Sequence, residues 1–358
     1  MTIVRKLLQK ITPGCLFDIY RRFRFNESTI IYKGVSYKEF LESSLAASRA
    51  DITDDKRKAL ADDIKDVFLK DGTRPDEYLL YNFDFKSQEE RSTYLPRKMK
   101  DVTLINYYKP DGRTLVRQLR DKYQFYQLAK PFFKRDAVRI AGEEDWSLFD
   151  QFCKNHSRFI CKILKGGCGV GVRIENVKDY AQVRDLFDKL LAEGVWIIEE
   201  LIKQDASISS FNESSVNTVR FPSFRHGTEV KQAYPCIRFG RKGSIVDNAG
   251  QKGVFASVDI NTGEIISNGF DELGQEYEEH PDSKVRFKGF QIPRWSELLK
   301  EAEQAHLSLP EKHTYVAFDY ALSEKGWMIV EGNWGDFVLQ QTSLKRGLKK
   351  EFLELLYG

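Results

Sequence analysis

Apolar positions change their period part-way along this chain. Over residues 53–72, Leu60, Ile64, Val67 and Phe68 fall at i, i+4, i+7 and i+8, the stripe of one helical face. Thr53 is placed to cap that helix and Gly72 to end it. Between residues 71 and 110 the pattern breaks into short aromatic-rich pieces, DEYLLYNFDF and LINYYKP. Asp111-Gly112 signals a turn, and TLVRQLRDKYQFYQLAK predicts one further helix that stops at Pro131. Residues 1–115 therefore read as a mostly helical region, and residues 116–358 as a second domain.

In that second part the period shortens. Runs of β type recur as RFICKIL, VWIIEELI, SVNTVRF, QAYPCIRFG, GVFASVDI, TYVAFDYAL and GWMIVEGN. Helical stretches separate some of them, VKDYAQVRDLFDKLLAEG and RWSELLKEAEQAH, and a last helix carries Leu348, Phe352, Leu355 and Leu356. Strand clusters broken by single helices, with several hairpins, predict an α+β class rather than regular βαβ winding.

Composition narrows the function classes. The 358 residues are 41 % hydrophobic and 30 % charged, enough apolar surface for a sizeable core and too much for a disordered chain. A net charge of +3 gives no reason to expect nucleic acid as a partner. Five cysteines, an odd number without a CxxC pair, point away from a disulfide scaffold or zinc knuckle and toward a reducing compartment. No apolar run approaches the roughly 18–20 residues that span a membrane. The N-terminal MTIVRKLLQKITPGC has basic residues scattered among its apolar ones and does not read as a signal peptide. Its Ile3, Leu7, Leu8 and Ile11 predict a short helix packed on the protein's own body rather than a membrane anchor. The expected location is the cytoplasm. The chain lacks GxxxxGK[ST], HExxH, GxSxG and the HRD–DFG pair, and its histidines, at positions 156, 226, 280, 306 and 313, are dispersed. Protease, zinc-hydrolase and protein-kinase classes lose their support.

Two segments could carry chemistry. In RFICKILKGGCGVGVRI, residues 158–174, a strand bearing Lys162 runs into a loop with Gly166, Gly167, Gly169 and Gly171. The backbone N–H groups of such a loop can approach a polyphosphate closely, with Lys162 adding charge; the alternative is a hairpin that needs glycine only for its turn. In TYVAFDYALSEKGWMIVEGN, two strands flank a turn at 323–326. A hairpin centred on Lys325 sets Asp319 opposite Glu331, and the two-residue period puts Asn333 on the same face. Two carboxylates and an amide oxygen are hard ligands suited to Mg²⁺ that also holds nucleotide phosphates; the alternative is a pair of exposed strand acids.

As an ordered set these motifs resemble the ATP-grasp superfamily, in particular its sugar-transfer-associated and α-L-glutamate-ligase-related branch, over residues 119–341. The series runs from Asp121-Lys122, through Lys162 with KGGCGVGV and the strand WIIEELI, to NTVR at 217–220 and then Asp319, Glu331 and Asn333. The resemblance implies two α+β lobes that clamp ATP, preceded by the helical region. It gives Lys122 and Lys162 to the phosphates and the 166–171 loop to closure over them. Glu199, Glu200 and Ile202 would meet the adenine edge and Asp205 the ribose. Asp319, Glu331 and Asn333 would hold Mg²⁺, and Arg220 would stabilise the transferred phosphoryl group. IRFGRKGSIVDNAGQKGV resembles the branch's substrate side, which gives Arg238, Asp247 and Asn248 to the acceptor; the alternative is an ordinary polar turn. Many relatives have two adjacent glycines where this chain has Gln251-Lys252-Gly253, a departure on the acceptor side. Cys168 reads as a small space-filler in the loop.

The expected activity is ATP-dependent joining of a small carboxylate to an amine through an acylphosphate, with positioning and electrostatics doing the catalysis. The branch points to an amino acid or sugar acid, with a saccharide-linked acceptor, in cell-surface polysaccharide modification. A small-molecule or sugar kinase on the same fold shares every nucleotide motif, and a nucleotide-binding module without turnover is a third option. Residues 1–115 carry no assignable motif; in ATP-grasp enzymes this region often helps to build the acceptor site.

Overall fold

The structure is a computed structural model that describes residues 28, 30–32, 34–164, 171–244, 247 and 252–358. The chain divides into two compact units, residues 1–104 with 336–349, and residues 105–335 with 350–358.

Among its described residues the first unit is helical apart from one small hairpin, β1 (Ile31–Tyr32) and β2 (Val35–Ser36). It continues through α1 (Tyr37–Ser48), α2 (Asp54–Asp71), α3 (Pro75–Leu80) and α4 (Gln88–Ser92) into the start of α5 (Arg97–Tyr107). Ser36 and Glu39 form a reciprocal cap at the head of α1. Ile64, Val67 and Phe68 on α2 are buried with Tyr37, Tyr78 and Phe83 in one core, and Leu60 packs against it. Gly72 closes α2 in the left-handed conformation, φ +84°, while the Thr53 hydroxyl makes no capping bond. The returning segment adds the helix Val338–Ser343, whose Gln341 amide accepts from Leu95 N and donates to Leu95 O.

The second unit begins with a departure from the pattern. The single helix expected before Pro131 is two, α6 (Gly112–Arg120) and α7 (Lys122–Phe133). Asp121 breaks them apart in extended conformation and accepts from Tyr123 N and Gln124 N, each at 3.0 Å, so it is the cap of α7 rather than a helical residue. Nor does Pro131 stop the helix. α7 kinks at Ala129 (φ −113°, ψ 20°), which accommodates the ring, and continues to Phe133.

Next comes a four-stranded antiparallel sheet in the order β3-β6-β4-β5. It comprises β3 (Ala137–Ile140), β4 (Arg158–Ile163), β5 (Val172–Asn176) and β6 (Trp196–Glu200), with α8 (Trp146–Asn155) and α9 (Tyr180–Glu193) between strands. Phe149 and Phe187 of those helices pack on Phe159, Cys161 and Ile198. Alternation therefore turns Lys162 and Glu199 to the other face.

After the short α10 (Ala206–Ser209) comes an antiparallel sheet of eight strands. These are β7 (Thr218–His226), β8 (Glu229–Gln232), β9 (Cys236–Phe239), β10 (Val254–Ser257), β11 (Gly269–Phe270), β12 (Glu276–Tyr277), β13 (Tyr315–Ser323) and β14 (Gly326–Asn333). They run β12-β11-β10-β9-β7-β13-β14, with β8 beside β7. α11 (Trp295–Ser308) packs on β7 and β8. α7 is seated on β14 by a close approach: a Cβ on Gly332 would lie 2.2 Å from the Phe125 ring, so only glycine fits between Glu331 and Asn333. Among the described residues no helix is long and apolar enough to cross a membrane.

Candidate active site

Three neighbouring strands build one row of charge. Arg220 on β7 pairs with Asp319 on β13, and Asp319 with Glu331 on β14. The route to that last pair differs from the symmetric hairpin. The turn is a two-residue one, with Ser323 opposite Gly326, and the ladder it starts would set Asp319 against Val330. A β-bulge between Asp319 and Tyr320 absorbs Val330 and restores Asp319 to Glu331 and Ala317 to Asn333.

Asp319 is fully buried and Arg220, Glu331 and Asn333 are half-buried, and the charges of the row are settled by one another. Arg220 Nε donates to Asp319 Oδ1 at 2.5 Å, and Arg238 Nη2 reaches Asp319 Oδ2 at 3.0 Å. Burial alone would raise the Asp319 carboxyl, but Arg220 and then Arg238 outweigh it and hold it down to about 2. Glu331 feels Arg238 and Arg220 too, but they do not outweigh its burial. Burial, reinforced by the Asp319 charge, pushes it up to about 7 and hydrogen-bonds its acid form to Asp319. Asn333 Nδ2 lies 3.4 Å from Asp319 Oδ2, and Asn333 Oδ1 is buried without a hydrogen-bond partner among the described residues. Arg238 links this row to Asp247: it takes Thr218 Oγ1 through Nε and Nη2, at 3.0 and 2.6 Å, and Thr218 donates to Asp247. Burial raises the Asp247 carboxyl against the pull of Arg238.

The four-stranded sheet supplies the second half. Lys162 Nζ donates to Glu199 Oε1 at 3.0 Å and Oε2 at 2.9 Å. Arg135, which follows α7, takes the same carboxylate through Nε at 2.8 Å and Nη2 at 2.5 Å. Burial opposes ionisation of Glu199, but Arg135 and Lys162 together hold it at about 2. Lys122, at the first position of α7, is half-buried with its Nζ 3.5 Å from Ile163 O. Burial lowers its pKa; Glu331 and Glu199 oppose that shift, and Lys162 reinforces it. One ammonium thus feels groups on both sheets.

Beyond β6 the chain crosses toward the larger sheet, with Gln204 bridged to Ser323 and Asp205 N donating to Leu322 O at 3.0 Å. Glu200 accepts from Lys325 Nζ at 2.7 Å, and Ile202 is half-buried in this crossing. Asp205 caps α10 through Ser207 N at 2.9 Å. Asp136, His156 and Glu200 form a separate, more exposed cluster, with His156 Nε2 2.9 Å from Asp136 Oδ2.

The sequence-derived residues therefore gather as two groups, Arg220, Arg238, Asp319, Glu331 and Asn333 on one sheet with Asp247 bonded to them through Thr218, and Lys162, Glu199 and Glu200 on the other with Ile202 just beyond it, while Lys122 lies between them. Gly171 is described, at φ +72° against Ile163, whereas Gly166, Gly167, Gly169, Lys165, Cys168 and Asn248 lie outside the described residues. Sequence reasoning missed Arg135 and Thr218. Thr218 sits in NTVR two residues from Arg220, a spacing that puts both on one face of β7. Arg135 carries no signal, because its partners are 64 and 194 residues away.

A family model described as sugar-transfer associated ATP-grasp matches residues 103–354. The chain belongs to that family. Its two sheets and their helices are accordingly an ATP-grasp fold of the α+β class, preceded by a helical region. No curated protein sequence matches the chain. Solved ATP-grasp structures are similar to it at low identity. The D-alanine-D-alanine ligase of Coxiella burnetii is 8 % identical with a TM-score of 0.36, over 60 % of this chain and 48 % of that one. The D-alanyl-alanine synthetase A of Vibrio cholerae O1 is 10 % identical with a TM-score of 0.39, over 66 % and 64 %. A RiPP-associated ATP-grasp ligase of Chryseobacterium gregarium, in complex with ADP and a leader and core peptide, is 12 % identical with a TM-score of 0.37, over 73 % and 67 %. The chain thus spans less than two thirds of the length of the first two.

Proposed function

We propose that this ATP-grasp protein is an ADP-forming ligase that joins a small carboxylate to an amine. The observation that carries its nucleotide- and metal-binding part is the position of Lys122, within electrostatic reach of Glu331 on one sheet and of Lys162 and Glu199 on the other. Cations suited to phosphate and oxygens suited to a metal face one another there. Asp319, Glu331 and Asn333 fit Mg²⁺: all three offer oxygen, and Asn333 Oδ1 is buried with no donor among the described residues. When bound, the ion would neutralise phosphate charge. Asp319 is already ionised, and Glu331 gives up its proton on becoming a ligand.

The chain's own groups then divide the work. Lys122 and Lys162 hold the phosphates, and Glu199, kept ionised, accepts from the adenine amino group, with Glu200 and Ile202 offering backbone to the adenine edge. Asp205 serves the ribose. The family resemblance gives the 166–171 loop, of which Gly171 alone is described, to the phosphates. Arg220 stabilises charge on the phosphoryl group as it passes to the carboxylate oxygen. Arg238, Asp247 and Asn248 face the acceptor, and the amine displaces phosphate to leave an amide. The family's link to sugar transfer supports an amino acid or sugar acid joined to a saccharide-linked acceptor.

Hydroxylamine supplied in place of the amine tests this. With ATP, Mg²⁺ and a carboxylate substrate the enzyme is expected to release ADP and a hydroxamate. A phosphate ester formed on a hydroxyl substrate, with no hydroxamate from any amino acid or uronic acid, would identify a kinase instead.

A further inference from the structure

We propose that Arg135 is a positioning residue that fixes the hairpin register of Asp319 and Glu331 from the nucleotide-hinge side of the site. This rests on the ligase reading above and deepens it. The side chain of Arg135 is 1 % exposed and spans two elements that belong to different sheets. Through Nε and Nη2 it holds Glu199, the hinge-strand carboxylate. Nη1 donates to Ile329 O at 2.5 Å, and Nη2 also reaches Val330 O at 3.2 Å. A further bond runs from Nη1 to Phe133 O at 3.3 Å, and the guanidinium lies 4.7 Å from the Phe133 ring centroid, which fixes its plane.

Those two carbonyls are the ones flanking the bulge. Val330 is the residue absorbed between the two registers of β13 and β14, and Glu331 is the next residue. In a regular antiparallel strand successive carbonyls point to opposite edges, so one guanidinium does not bond two in a row. Here the bulge turns them together, and the fork of Arg135 occupies both. Because β14 lies at the end of the sheet, no further strand among the described residues satisfies this edge. A slip that lost the bulge would set Asp319 against Val330 and move Glu331 to the opposite face. The fork that selects the metal-binding register therefore also holds the carboxylate assigned to adenine. Lysine offers no such fork: its single ammonium can keep Glu199 or the bulge carbonyls, but not both with the same geometry.

A purely structural buried ion pair would affect stability alone, so the test reads metal dependence separately. ATP binding to wild type, Arg135→Lys and Arg135→Gln is titrated against Mg²⁺ by calorimetry, with thermal unfolding of each protein recorded in parallel. The expected result is a folded Arg135→Lys whose Mg²⁺ requirement for ATP binding rises by at least about 10-fold. Arg135→Gln, which keeps two N–H donors, is read the same way if the lysine variant does not fold. Mg²⁺ curves that superimpose on wild type would overturn the proposal and leave the ligase reading intact. Failure of both variants to fold would also overturn it, because positioning requires sheets that stand without the fork. A wild type that binds no nucleotide overturns the functional reading and this inference with it.

Discussion

Asp319 and Glu331 face each other on adjacent strands but stand in opposite electrostatic positions, and substitution should separate them. Glu331 shares its proton with its neighbour near neutrality, so Glu331→Gln replaces one hydrogen-bonding group by another and should leave the fold nearly intact. Turnover, measured as ADP release, should still fall by at least about 100-fold, the scale seen when an electrostatic transition-state stabiliser is removed. Asp319→Asn removes the partner of both Arg220 and Arg238 and should cost about 3–5 kcal/mol of stability by denaturant unfolding, besides the activity. Near-normal ADP release by both variants would contradict the metal assignment. At this scale the sequence was informative where a motif carries the residue. The pairing of Asp319 with Glu331 could be read from residue type and hairpin register, whereas Glu199 entered only through the family resemblance. Arg135 could not be read, since a guanidinium bonded to carbonyls depends on a bulge no residue type announces.

Elements were legible through their hydrophobic period, and their junctions were not. The α2 stripe and the strands at 158–163 and 315–323 lie where the pattern puts them, because burial on one face leaves little choice. The helix broken at Asp121 shows what pattern misses: both halves share an apolar period, and only a carboxylate bonded to two N–H groups ends one and starts the other. That break matters, because it places Lys122 at the head of α7. The seat of α7 gives a prediction. Gly332→Ala puts a methyl into the Phe125 ring and should destabilise by about 1–3 kcal/mol, with weaker ATP binding as α7 and Lys122 are displaced. An alanine variant with wild-type stability and affinity would mean that α7 does not position the lysine. Lys162, on β4 and bonded to Glu199, gives another prediction, with Lys165, outside the described residues, as its control. Lys162→Met should weaken ATP binding much more than Lys165→Met, and equal losses would point to a diffuse basic loop.

Across the whole molecule, stability should carry the mark of histidines buried uncharged. His306 sits between Ser223 Oγ and His313 O, at 2.7 and 2.6 Å, and burial pushes its pKa down to about 4. The unfolded chain, at the ordinary value near 6.5, takes up a proton first as pH falls. The neutral ring's contribution is therefore complete above pH 6.5 and lost as pH drops toward 4. Glu331 works in the opposite sense, so the histidine must be isolated by comparison. The stability difference between wild type and His306→Gln should shrink by about 2 kcal/mol from pH 7.5 to pH 5. A difference independent of pH would show that His306 is not held neutral.

The proposed function turns on transfer of a phosphoryl group to a carboxylate oxygen, and an isotope follows that bond directly. A carboxylate substrate carrying ¹⁸O, turned over with ATP and the amine, should release inorganic phosphate containing one ¹⁸O, because the acyl oxygen leaves with the phosphate when the amide forms. Mass spectrometry of the phosphate reads it. Phosphate without the label, or a labelled substrate recovered as a phosphate ester, would contradict the ligase assignment.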